Sequence, residues 1–179
     1  LTMKNIFPVV LISLLMFSCM NKVREEITDR YENGNKKSLV KYKGEGSNEV
    51  LVKRIDYSQN GDIINMESYN GKGQKDGQWI RSYYSGKIKD ESNYRNGLQH
   101  GDWNFYFRSG KIRFIRPYKY GNKHGEWIEY YESGQIKWRE VYKDGYIKDG
   151  AYTYYNEDGS IEKVIEYKNQ LPDYSFPSN

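Results

Sequence analysis

Two histidines and two aspartates carry the most chemically suggestive spacing in this sequence. His100 and His124 each stand directly before a glycine, Gly101 and Gly125, and Asp76 and Asp149 hold the same place before Gly77 and Gly150. Imidazole and carboxylate are zinc ligands, so four such groups brought together would suit a metal-dependent hydrolase. The spacing argues against their meeting. If the recurrence marks successive hairpins, equivalent positions lie two strands apart, about 9.6 Å at about 4.8 Å per strand, whereas zinc holds its ligands at about 2.1 Å. The expectation is therefore of polar turn residues that hydrogen-bond locally beside a glycine, with no metal and no cofactor.

Other chemistry is thinner still. The carboxylates Glu126, Glu129, Glu132 and Glu140 alternate with Lys137 and Arg139, a pattern that suits cross-strand ion pairs on a wet face, whereas a catalytic acid should be singular and desolvated. Gly71-Lys72-Gly73 is a turn-rich connector with no strand-to-helix context for cradling a phosphate. The single cysteine, Cys19, excludes an intramolecular disulfide, and no histidine lies near it to generate a thiolate. No enzyme is expected.

What positions these residues is a repeat. Gly77-Gln78-Trp79, Gly101-Asp102-Trp103, Gly125-Glu126-Trp127 and Gly150-Ala151-Tyr152 recur at steps of 24, 24 and 25. Seven residues after each aromatic comes a second glycine, Gly86, Gly110, Gly134 or Gly159. Two residues later stands Ile88, Ile112, Ile136 or Ile161, and six further on Tyr94, Tyr118, Tyr142 or Tyr167. The units close with Asn96-Gly97, Tyr120-Gly121 and Asp144-Gly145. Upstream, Tyr31 with Gly34 and Tyr57 with Gly61 mark two degenerate copies, as a capping end would show.

Each unit reads as two strands and two turns. Ser85-Gly86, Ser109-Gly110 and Ser133-Gly134 are hairpin turns. Alternation places Trp79 with Tyr83, and Trp103 with Phe105 and Phe107, on one face, and the even spacing from Ile to Tyr predicts that these two share a face as well. The fold class is all-β: an elongated antiparallel meander sheet of tandem β-hairpins in which columns of Trp, Ile and Tyr run across the strands. A composition of 19 Tyr among 16% aromatics, with 17 Gly and only 4 Pro, fits such a sheet better than a thick core.

The motif Gly-x-Trp-x-x-x-Tyr-x-x-Gly-x-Ile followed by Tyr-x-x-Gly resembles the variant MORN repeat of YwqK-like antitoxin-repeat proteins. The resemblance is strong over 77–168 and weak over 28–75. It implies a hairpin meander with an interaction role and, in some relatives, an antitoxin or immunity label.

The N-terminus sets the compartment. Met3-Lys4-Asn5 gives a positive start and 6–17 an apolar run too short for a bilayer core of about 30 Å, which predicts a helical signal peptide over 1–18. Ser18-Cys19 at its end resembles the lipobox of bacterial lipoproteins, which implies cleavage before Cys19 and acylation of its sulfur. Two or three acyl chains at about 0.8 kcal/mol per buried methylene would hold the chain to a membrane in the bacterial cell envelope. Residues 19–27 then read as a tether, 28–170 as the repeat domain, degenerate over 28–75 and clear over 76–170, and 171–179 as a tail that is disordered or folded over the last edge strand. An envelope address places any antitoxin-like role there and not in the cytosol.

The net charge of +4 comes from 28 basic and 24 acidic residues closely mixed, a solvated surface with no phosphate-binding stripe, so no nucleic-acid partner is expected. The functional expectation is a lipid-anchored scaffold that binds a protein partner, with glycan or peptidoglycan binding as the second reading. The candidate binding residues are Trp79, Trp103, Trp127, Trp138 and Tyr152, set against the plainer reading in which the rings form the thin core of the sheet. Trp138 reads as falling outside the repeat register and hence as the ring freest to bind.

Overall fold

The computed structural model describes residues 22–173, so the expected signal helix over 1–18, Cys19 and residues 174–179 lie outside the described residues. Strands β1 (Val23–Arg30), β2 (Lys36–Lys43), β3 (Val50–Tyr57), β4 (Ile63–Ser68), β5 (Gly77–Ser82) and β6 (Ile88–Arg95) are followed by β7 (Leu98–Gln99), β8 (Gly101–Tyr106), β9 (Ile112–Lys119) and β10 (Asn122–Lys123). The order continues with β11 (Gly125–Tyr130), β12 (Ile136–Lys143), β13 (Tyr146–Ile147), β14 (Gly150–Tyr155), β15 (Ile161–Lys168) and β16 (Leu171–Asp173). All lie in one antiparallel sheet in which neighbours in space are neighbours in sequence, and β7, β10 and β13 are short returns on β6, β9 and β12.

Two kinds of turn drive this meander. At one edge, Tyr83 N–H donates to Lys87 O and Gly86 N–H to Tyr83 O, with Gly86 at φ +85°. The same pair of bonds recurs at Tyr31–Asn35, Ser58–Asp62, Phe107–Lys111, Tyr131–Gln135 and Asn156–Ser160, so the two degenerate units are built like the clear ones. At the other edge, Asn96 and Gly97 both have positive φ, as do Tyr120 with Gly121, Asp144 with Gly145, and Asn169 with Gln170. Positive φ at both central residues is the type I′ geometry, whose twist matches that of paired strands.

One expectation about faces is corrected. Ile88 does not share a face with Tyr94. Arg81 pairs with Asp90 but Ser82 with Ile88, which leaves Lys89 as an extra residue in β6. The bulge recurs at Ile64, Arg113, Lys137 and Glu162, and each time it turns the isoleucine to the opposite side. The sheet therefore has a ring face carrying Trp79 and Tyr94, and an isoleucine face where Ile88 packs against Ile80.

Among the described residues the isoleucine face is buried only in the N-terminal half, whereas the ring face holds buried residues in both halves, Val40 and Asp90 in the first. In the N-terminal half Leu39, Ile55, Met66 and Ile80 pair in one row of the isoleucine face and form the buried cluster, flanked by Ile27, Tyr57, Ile63 and Ile88. Each such side chain contributes about 2 kcal/mol on removal from water. That row then turns polar at Glu91 and Asn104. From there the buried residues lie on the ring face, with Trp127 at 6% and Tyr152 at 8% exposure. Val23–Ile27, expected within the tether, belong to β1 because they pair with β2. Leu171–Asp173 of the expected tail pair with β15 as an added edge strand.

Candidate interaction surface

The ring face is built by one device used repeatedly. The indole Nε1 of Trp79 donates to Ser68 O at 2.9 Å and that of Trp127 to Pro117 O at 3.0 Å, so each indole is tied to the backbone of the preceding unit. The same carbonyls accept the N–H of Asp76 and of His124. Tyr69, Trp79 and Tyr94 meet edge to face at 5.4 and 5.6 Å; Tyr118 meets Trp127 the same way at 5.3 Å, and Tyr142 lies tilted against it at 5.2 Å. Such contacts add about 1 kcal/mol each beyond buried area. Lys75 Nζ lies 4.0 Å from the Trp79 ring and Lys123 Nζ 4.2 Å from that of Trp127. Burial against these rings pushes the Lys123 ammonium below its ordinary pKa.

A second row on this face, nearer the tip turns, changes character halfway. Ser38, Asp56, Asn65, Arg81 and Asp90 pair successively in its N-terminal half. They form a polar network: Ser38 donates to Asp56 at 2.6 Å, Asn65 to Asp56 at 3.1 Å and Arg81 to Asp90 at 2.9 Å. Asp90, at 1% exposure, is held there by that guanidinium. The row continues through Phe105, Phe114, Glu129, Trp138 and Tyr154, which are half-buried.

Trp138 is therefore in register, contrary to the expectation. It occupies the position held by Asp90 and Phe114 in the two preceding units and by Lys163 in the next, and regular alternation with Glu140 and Tyr142 keeps it on the ring face. Its Nε1 donates to Glu129 Oε2 at 2.7 Å, and its ring lies 6.4 Å from that of Tyr154. Of the other candidate residues, Trp79 and Trp103 are half-buried, while Trp127 and Tyr152 are core residues of this face.

The expected exposed carboxylate face divides. Glu126 meets Arg139 at 3.9 Å in the open. Glu129, whose side chain is 12% exposed, and Glu140 instead face the rings. Glu140 accepts from the hydroxyls of Tyr142 at 2.7 Å and Tyr154 at 2.5 Å. Burial first, and then this shared carboxylate, raises both phenols above their ordinary pKa.

The His/Asp position faces the type I′ turn that closes its own unit. Asp76 accepts from Asn96 N at 3.2 Å, His100 Nδ1 from Tyr120 N at 3.4 Å and Asp149 from Gln170 N at 3.4 Å. His124 Nδ1 lies 3.5 Å from Asp144 Oδ1, out of line for a hydrogen bond. Among the described residues no three His, Cys, Asp or Glu side chains converge.

The model of the MORN repeat variant matches residues 75–96, 99–120, 123–144 and 148–169. These units are MORN repeats. Each match ends on the first positive-φ residue of a type I′ turn, Asn96, Tyr120, Asp144 or Asn169, so the MORN unit and the structural unit coincide. A search of curated proteins found no match. The MORN signature covers the Trp and Tyr columns, and Phe105 was read onto the face of Trp103, but Phe114, Arg116 and Tyr154 were not singled out. Alternation back from Tyr118 and onward from Tyr152 was the signal that could have found them.

Proposed function

We propose that this chain is a non-enzymatic interaction scaffold that holds a protein partner against the ring face of its MORN repeats, anchored in the bacterial cell envelope by lipid on Cys19. The observation that carries this reading is the row of half-buried rings at Phe105, Phe114, Trp138 and Tyr154, beside a floor of Trp127 and Tyr152. Half-buried rings over a packed floor are the usual anchors of protein interfaces. An antitoxin or immunity role, suggested by the resemblance to YwqK-like proteins, would make the partner a toxin of the envelope.

The test is capture from envelope extracts with the wild-type chain and with Trp138→Ser. One stoichiometric protein, lost with the variant, is the expected result. Retention on cell-wall polysaccharide with no protein captured would replace this reading by glycan binding, to which the tilted pair Trp138 and Tyr154 lends itself. For the anchor, Cys19→Ser should abolish fatty-acid labelling, and unchanged labelling would remove it.

A further inference from the structure

Several cations of this sheet have a carboxylate partner: Arg81 with Asp90, Arg24 with Glu49, Arg113 with Glu129 and Lys37 with Asp29. Among the ring-face cations that have none, two lie on the same indole, that of Trp127. Arg116 lies over Phe114 at 4.0 Å, with Trp127 at 5.3 Å and Phe105 at 5.5 Å, and Lys123 lies on Trp127 and Tyr142. Neither makes an ion pair among the described residues. The nearby carboxylates are committed elsewhere, Glu129 to Trp138 and Glu140 to two phenols.

Two donors at the same place lack acceptors. Arg116 Nε is buried without a hydrogen-bond partner, and so is the indole Nε1 of Trp103, the residue directly opposite it on β8. Trp79 and Trp127 satisfy the same atom with a backbone carbonyl. Trp103 instead lies nearly parallel to Phe105, 26° between planes at 5.3 Å, while Trp79 meets Tyr69 and Trp127 meets Tyr118 edge to face. Leaving such donors unmet is costly.

We infer that Arg116 and Lys123, both lying against the Trp127 ring with Trp103 opposite Arg116, form the receiving site for a carboxylate of an acidic segment of the partner protein, its flanking apolar side chains resting on Phe105 and Phe114. Charge complementarity fixes the occupant: two cations that no carboxylate contacts as an ion pair, framed by rings, match a carboxylate beside an aromatic or aliphatic group. Arg116 Nε and the Trp103 indole N–H are covered by the sheet, so the carboxylate is received by the terminal guanidinium nitrogens of Arg116 and by Lys123 Nζ. This inference rests on the scaffold reading proposed above and names the chemistry of its partner.

The test uses two blocked dipeptides, N-acetyl-Asp-Phe-amide and its Asn-Phe counterpart, titrated into the isotope-labelled chain. The readouts are the side-chain N–H resonances of Arg116, Trp103 and Trp127. The Asp peptide should shift these saturably and the Asn peptide should bind about tenfold more weakly, the size expected for one charge-assisted hydrogen bond. Arg116→Gln should remove the response, and Lys123→Gln, at a position where the second MORN repeat already carries Gln99, should weaken it several-fold in a folded chain. Equal shifts with both peptides, or unaltered binding by Lys123→Gln, would overturn the inference. Capture of the envelope partner by the Arg116→Gln chain at undiminished yield would overturn this site while leaving the scaffold reading standing.

Discussion

The phenol of Tyr83 donates to the backbone carbonyl of Tyr106, in the next hairpin, at 2.7 Å. Tyr31 makes the same bond to Tyr57 at 2.7 Å and Tyr131 to Tyr155 at 2.8 Å, so alternate units are pinned to their successors at the tip edge. The intervening units place Ser58 and Phe107 at this position, and Phe107 cannot donate. Tyr83→Phe and Tyr131→Phe should each lower stability by about 1 kcal/mol. Phe107→Tyr should raise it by up to about 1 kcal/mol through a new bond to Tyr130 O. Urea midpoints at constant slope would measure all three.

The indole positions should respond unequally. Trp127 is buried and bonded to Pro117 O, so Trp127→Ala should cost about 3 to 5 kcal/mol, and Trp127→Phe about 1 to 2. Trp103→Phe removes a donor that has no acceptor and should be neutral or slightly stabilising. Comparable losses at both positions by chemical denaturation would show that the indole bond does not matter.

Tyr120 holds φ +48° in a type I′ turn, where an aromatic side chain is strained and asparagine is not. It is half exposed, and its ring rests on His100 with centroids 4.6 Å apart. Tyr120→Asn should raise the melting temperature, the relief of about 0.5 to 1 kcal/mol outweighing the lost ring contact. A drop would mean that the His100 contact holds the edge.

Alkaline pH should unfold the C-terminal repeats. Burial, and then the shared Glu140 carboxylate, raises the folded-state pKa of Tyr142 and Tyr154, so both stay neutral where the unfolded chain ionises. A raised folded value means the contribution is complete below the ordinary phenol pKa of about 10 and is lost as pH climbs from there toward the folded values. The denaturation midpoint should hold steady up to about pH 9.5 and fall above it. Glu140→Gln should shallow the fall without removing it, because burial is the larger cause. A profile flat above pH 10 would refute the assignment.

The repeat, its period and both turns were legible in the sequence because each rests on glycines at fixed offsets, and Gly86 or Gly97 can be replaced only at the expense of positive φ. What was lost was lost to single residues. Alternation assumes an unbroken ladder, and one bulged residue at Lys89 or Lys137 sends Ile88 and Ile136 to the face that simple counting gets wrong. The start of β1 was hidden because Val23–Ile27 reads as polar and is largely exposed on an edge strand. The loss of the buried isoleucine face between Ile80 and Trp127 is a sum of small choices at variable positions, which no repeat signature records.

Exchangeability of the hairpin unit underlies everything else, and removing one unit tests it most directly. Deleting residues 99–122 joins Leu98 to Lys123, so that Trp127 falls where Trp103 stood, with both turns and both faces in register. Deleting residues 112–122 alone removes β9 and the first residue of β10 and leaves β8 facing β11 in the wrong direction. In guanidinium titrations the first chain should unfold in one cooperative transition with a reduced slope, and the second should lose cooperativity. Equal damage from the two deletions would contradict a sheet assembled from stacked, self-similar hairpins.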